Sequence, residues 1–197
     1  VRDFDRDRGR LTIDIVVHGD EGIAGPWAAG AAPGDLVQLI GPGGAYAPDP
    51  DADWHLMAGD EAVIPAISVS LGRIPAGRPV FVVIEAGDED GRLPLETGGE
   101  LTARWLYRHG TPQPERPRIL DAVRDLELPP GRGQAFIHGE AGMVMAVRRH
   151  LLTERGLRPA DLSATGYWKY RRTEEGWRED KPGWKQEAER DLGNRRA

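Results

Sequence analysis

The sequence predicts an α/β fold in which a parallel sheet is covered by helices on both faces and is preceded by a shorter antiparallel segment. Two observations carry this reading. From Asp53 onward, short β-type runs alternate with helix-length segments, the pattern of parallel strands joined by crossover helices. The residues before Pro48 lack that alternation and read as extended chain broken by Gly, Pro and Asp. The rhythm switches across Gly41-Pro42-Gly43-Gly44 and Pro48-Asp49-Pro50-Asp51, turn and linker chemistry that sets the expected domains at residues 1–51 and 52–197.

Each element follows from its residues. Arg10 to His18 carries Leu11, Thr12, Ile13, Ile15, Val16 and Val17 between Gly9 and Gly19 and predicts a strand. A second strand is expected over Leu36 to Ile40, after the Pro33-Gly34-Asp35 turn, with a short helix around Trp27-Ala28-Ala29 between the two. Beyond the linker the expected order is strand Trp54 to Ala58, helix Glu61 to Arg73, strand Val80 to Ala86 and strand Leu101 to Leu106. Helix Arg118 to Leu126, strand Gln134 to His138, helix Ala141 to Arg155 and strand Ser163 to Trp168 complete it. The tail from Arg171 suits a helix in which Trp177 and Trp184 share one apolar stripe, its charges forming a solvated face.

Composition narrows the chemistry. The longest apolar runs, such as Val80 to Ile84, are far too short to cross a bilayer, so no membrane partner is expected and the cytoplasm is the expected location. With no cysteine, disulfides, thiolate metal sites and a catalytic thiol are excluded, and redox chemistry requires an organic cofactor or a metal on other ligands. The net charge of -6 argues against nonspecific nucleic-acid binding, which needs a basic surface to release counterions. His18, His55, His109, His138 and His150 fall at no spacing typical of metal ligands, and no Gly-x-Ser-x-Gly elbow supports nucleophilic hydrolysis.

Three stretches have the form of a strand that ends in a glycine turn and opens into a helix. Met57-Ala58-Gly59-Asp60-Glu61 aims backbone N–H groups and a positive helix end above the sheet edge, which suits a phosphate; the alternative is a plain connection with Asp60 as N-cap. His138-Gly139-Glu140-Ala141-Gly142 repeats the arrangement, and two such turns at one carboxyl edge make a ligand crevice there. The third is His18-Gly19-Asp20-Glu21-Gly22-Ile23-Ala24-Gly25-Pro26-Trp27, whose glycines permit close approach to a pyrophosphate, or which forms a β-turn capped by an aromatic core residue.

Taken in order with Gly41-Pro42-Gly43-Gly44, Asp53-Trp54, Pro65-Ala66-Ile67, Arg148-Arg149-His150-Leu151 and Gly166-Tyr167-Trp168-Lys169, these stretches resemble the siderophore-interacting proteins, a branch of the ferredoxin-reductase-like flavoenzymes. The resemblance implies a Rossmann-like nucleotide-binding domain preceded by the remnant of an antiparallel flavin-binding β-barrel. It implies that electrons pass from NADPH or NADH through FAD to a ferric siderophore, with no protein-held metal. Site residues follow the same way. His18, Gly19, Asp20, Glu21, Gly22, Ala24, Gly25, Trp27 and Ala28 would hold the FAD pyrophosphate. Gly59, Asp60, Glu61, Gly139, Glu140 and Ala141 would line the nicotinamide nucleotide. Tyr167 and Trp168 would pack near the isoalloxazine, and Lys169 would face the anionic chelate.

Two departures from the family pattern bear on this. Ala24 is followed by Gly25, Pro26 and Trp27 instead of the family's small-Ser-x-Trp, which removes a hydroxyl and one backbone donor. The family's Arg-x-Tyr-Thr flavin motif would fall just before Val1, so the chain alone is expected to hold FAD weakly or not at all, and exposed strand edges to favour a dimer. Donor choice stays open: Asp88, Glu89 and Asp90 would repel a 2′-phosphate while Arg92, Arg104 and Arg108 would attract one, and the family implies NADPH. A non-catalytic binding module and another reductase of the same superfamily remain the competing readings.

Overall fold

The computed structural model describes residues 1–15, 17, 22–39, 46–111 and 118–193, with side chains to residue 191. The chain divides into two units, Val1–Ala45 and Tyr46–Ala197. In the first, β1 (Asp3–Asp5) and β2 (Arg10–Thr12) pair antiparallel with Phe4 opposite Leu11, and α1 (Ala24–Gly30) follows. None of the described residues of this unit is buried. Large apolar side chains including Phe4, Ile23, Leu36 and Leu39 stand exposed, so the described residues of this unit form no buried core. The strand expected from Arg10 to His18 is therefore only three residues long, because pairing stops at Thr12. Leu36 to Leu39 is not a strand: Leu36 is 96% exposed and no partner strand lies beside it among the described residues.

The second unit follows the expected alternation. It contains β3 (Trp54–Asp60), α2 (Ile64–Leu71), β4 (Pro79–Ala86), β5 (Glu100–Tyr107), α3 (Arg118–Arg124), β6 (Gly133–Glu140), α4 (Ala141–Thr153), β7 (Leu162–Trp168) and α5 (Glu174–Gly193). The five strands form one parallel sheet in the order β5-β4-β3-β6-β7. All seven residues of β3 are buried, as a central strand covered on both faces requires. The helix expected from Glu61 is instead a 3-10 turn over Glu61–Val63 leading into α2, since Pro65 cannot donate a backbone bond and suits a first helical turn.

Strand alternation divides the core. Leu56, Ala58, Val83 and Ile137 face α3 and α4, where Val123, Val144, Val147 and Leu151 meet them. Met57, Val82, Ile84 and Phe136 face the other way, under Ile64, Ile67 and Leu71 of α2. Right-handed crossovers require this division, because β3-β4-β5 progress one way across the sheet and β6-β7 the other. The tail helix docks as its two tryptophans suggest: Trp177 and Trp184 meet edge to face at 6.0 Å, and the Trp184 indole donates to Ala141 O at 3.0 Å. Among the described residues no helix is long and apolar enough to cross a membrane.

Candidate functional site

The strand order reverses between β3 and β6, and there the first turns of two crossover connections rise side by side from the carboxyl edge. Such a switch point opens a crevice where ligands of parallel α/β sheets bind. The two strand ends approach closely. A Cβ on Gly59 would overlap His138 O and the Val63 side chain, and Gly139, at φ +124, would place one 2.5 Å from Asp60 Oδ2. Glycine is thus required at both positions, once for space and once for space and conformation.

Asp60, 2% exposed, is the knot of this edge. Its carboxylate accepts the Ala62 N–H at 3.0 Å and so caps the 3-10 turn. It also accepts the Glu140 N–H at 2.7 Å and the Trp168 indole N–H at 3.0 Å, joining the ends of β3, β6 and β7. Burial pushes its pKa up to about 6 against those bonds, and the neighbouring Glu61 charge adds to the rise. Glu140, also buried, caps α4 by accepting the Met143 N–H at 2.8 Å, and its other oxygen accepts the Tyr170 N–H at 3.2 Å. Ala141 is fully buried behind it.

Around this pair lie the other residues singled out in the sequence. Tyr167 is partly exposed and stands edge-on to His138 at 5.3 Å; His138 in turn stacks on Phe136 at 3.8 Å. Burial holds His138 neutral, its pKa pushed down to about 4, with one ring nitrogen 2.9 Å from Ser163 Oγ. Lys169 is not free: its Nζ lies 3.3 Å from Asp180 and 5.9 Å from the centre of the Trp177 ring, and Arg172 binds the same Asp180 at 2.8 Å. Glu61 holds Arg108 in a two-pronged ion pair.

One residue the sequence reading passed over is Glu85. It lies paired in register with Asp60 near the end of β4, 3% exposed, with one carboxylate oxygen unpartnered and burial raising its pKa. An acid inside the apolar run Pro79–Ala86 was the available signal. No group of three or more metal-ligating side chains converges among the described residues.

In the first unit, His18, Gly19, Asp20 and Glu21 lie outside the described residues. Gly22 has φ +90, and the N-terminus of α1 carries no side-chain cap and no acid in its first turn, which holds Ala24, Gly25, Pro26 and Trp27. Its amide donors, apart from the one Pro26 lacks, are not taken by a side chain. Ala28 sits one turn on, and Trp27 is partly exposed.

Comparison with known proteins gives this geometry a family. The profile described as Siderophore-interacting protein matches residues 52–171, and that of the Siderophore-interacting FAD-binding domain matches residues 1–46. An uncharacterized Mycobacterium tuberculosis protein is 42% identical across 98% of the chain and 70% of its own length. The ferric vibriobactin reductase ViuB of Vibrio cholerae is 35% identical across 92% of the chain and 67% of its own length. Among solved structures, the siderophore-interacting protein SipS of Aeromonas hydrophila superposes with a TM-score of 0.82 at 28% identity, covering 93% of this chain and 71% of that one. The chain therefore spans about two thirds of the length of these relatives, and it belongs to the siderophore-interacting protein family.

Proposed function

We propose that the protein to which this chain contributes is a ferric-siderophore reductase, in which electrons from a nicotinamide nucleotide pass through FAD to chelated ferric iron, which leaves as ferrous ion. The observation that carries the reading is the 35% identity with a ferric vibriobactin reductase across 92% of the chain. The five-stranded sheet with its switch point supports a nucleotide site bounded by Gly59, Asp60, Glu61, Gly139, Glu140 and Ala141.

The flavin fits the first unit by the chemistry of its donors. Gly22 and the uncapped first turn of α1 offer backbone N–H groups to a pyrophosphate, and exposed Trp27 and Ile23 offer apolar surface beside it. When bound, FAD supplies the conversion of a two-electron hydride into the single electrons that ferric iron accepts. The chain's own residues position and exclude. Trp168, tethered to Asp60, and Tyr167, packed on His138, hold the end of β7 in one conformation, and Lys169 presents a cation to an anionic ferric chelate.

The side chains favour NADH over the NADPH that the family implies. Arg108 is taken by Glu61, Arg104 binds Ala122 O and faces Asp125, and Arg92 lies over the Trp105 ring. Glu85, with its unpartnered oxygen, occupies the strand end where an acid accepts adenosine ribose hydroxyls in dinucleotide folds. The test is to add FAD to the purified protein, record its visible spectrum, and follow ferrous release from ferric vibriobactin with NADH or NADPH as donor. Ferrous release that requires both flavin and nucleotide is expected; its absence with bound flavin would leave a binding protein.

A further inference from the structure

The two turns at the switch point have the backbone of an anion site, yet each is closed by an acid of the chain itself. Helix starts at such edges normally leave N–H groups free for a ligand phosphate. Here Asp60 consumes the N–H groups of Ala62 and Glu140 together with the Trp168 indole. Glu140 consumes those of Met143 and Tyr170. Both carboxylates are more than nine-tenths buried, and the neighbouring acid Glu61 adds its charge to that of Asp60. A phosphate entering the crevice would find five of its donors occupied and two buried acids facing it.

We infer that Asp60 and Glu140 act as internal anions that close the switch-point crevice to phosphate, so that a nicotinamide nucleotide binds there weakly and without seating its pyrophosphate on these amides. The inference rests on the reading of this crevice as a nucleotide site, and it assigns these two acids the setting of affinity within it. In α1, by contrast, the first turn holds no acid and no side-chain cap.

The test is calorimetric titration of the full chain with inorganic pyrophosphate and, separately, with NADH, comparing the unaltered protein with Asp60→Ser and Glu140→Gln. Serine keeps a cap for Ala62 while releasing the Glu140 N–H and the Trp168 indole. Pyrophosphate affinity is expected to rise by roughly tenfold in Asp60→Ser, the scale of one charge-assisted hydrogen bond gained, and by less in Glu140→Gln. Loss of a merely structural residue would not tighten binding, so a gain is specific to the proposal. Unchanged or weaker pyrophosphate binding in either variant, with the circular dichroism of the folded protein retained, overturns it. If pyrophosphate tightens and NADH does not, the two acids close an anion site as inferred and it is the nucleotide reading that falls. Should Asp60→Ser fail to fold, Glu140→Gln decides alone.

Discussion

The indole N–H of Trp168 and the carboxylate of Asp60, 108 residues apart in the chain, meet at 3.0 Å. That bond fastens the end of the edge strand β7 to the end of the central strand β3, across β6. It sets where Tyr167 and Lys169 emerge. Trp168→Phe keeps the ring and removes the donor, so a loss of about 2 kcal/mol is expected, the cost of a hydrogen bond to a charged group. Urea unfolding followed by far-ultraviolet circular dichroism measures it; an unchanged midpoint would mean the bond adds nothing.

Acid and base work against each other at this edge as pH falls. Asp60, with its pKa raised to about 6, contributes stability that is present below the ordinary carboxylate range and is lost as pH rises through 6. His138, pushed down to about 4, contributes stability present above its ordinary value near 6.5 and lost as pH falls towards 4. Between pH 4 and 6 the two slopes oppose. Relative to the unaltered protein, Asp60→Asn should lose stability on acidification through this window and His138→Phe should gain it, each by ~3 kcal/mol across the full range. Melting temperatures of the three proteins at pH 4.5, 5.5 and 7 check the signs, and parallel curves would show that neither group is shifted.

The β-type runs and the Gly-acid turns of the second unit are legible from local pattern, because the central strands β3, β4 and β6 are almost wholly buried and apolar. What local pattern misses is convergence. Asp60 reads correctly as an N-cap beside Ala62, but the arrival of Glu140 and Trp168 on the same carboxylate depends on strand order, which no short window encodes. Glu85 hides inside a run that reads as pure strand. The first unit fails differently: Ile13, Ile15 and Leu36 have strand chemistry but no partner among the described residues, and a strand without a neighbour has no ladder to define it.

Packing at the strand ends makes a sharper stability prediction. Gly59→Ala would drive its new methyl group into a backbone carbonyl, His138 O, which cannot rotate away, and into Val63. Gly139→Ala meets the Asp60 carboxylate and adds a strained positive φ. Each should cost about 3 kcal/mol. Gly77→Ala, at φ +74 and in open space, should cost only about 1 kcal/mol. Equal losses at all three in thermal unfolding would refute the packing argument.

The proposed donor preference turns on Arg108. Because Glu61 holds it, a 2′-phosphate must compete with a carboxylate already in place, and Glu61→Gln should weaken that hold. Nucleotide titrations should show NADH favoured by the unaltered protein and the NADPH disadvantage shrinking about fivefold in the variant, with NADH nearly unaffected. An equal change for both nucleotides would place Arg108 outside the ribose end of the site.

Lys169 is the last residue of consequence, and its pairing decides how it can act. Asp180 binds both Lys169 and Arg172, so two cations share one anion and the cluster keeps a net positive charge. Trp177 lies under the Lys169 ammonium and restricts it further. An anionic ferric chelate approaching a chain of net charge -6 needs such a local cation, and the attraction acts on encounter and weakens with salt. In the proposed reductase, Lys169→Ala should therefore raise the KM for anionic ferric chelates, while Asp180→Asn, which releases both cations, should lower it by about two- to fivefold, the range of an exposed ion pair. The rate of flavin reduction by the nicotinamide nucleotide should stay the same in both variants, because neither change touches the switch-point acids. Both KM effects should fade as sodium chloride is raised from 20 to 500 mM, beyond which the screening length is only about 4 Å. A KM that ignores both substitutions at low salt would show that the chelate binds away from Lys169, and the same titrations on Arg171→Ala would then locate the cation it uses.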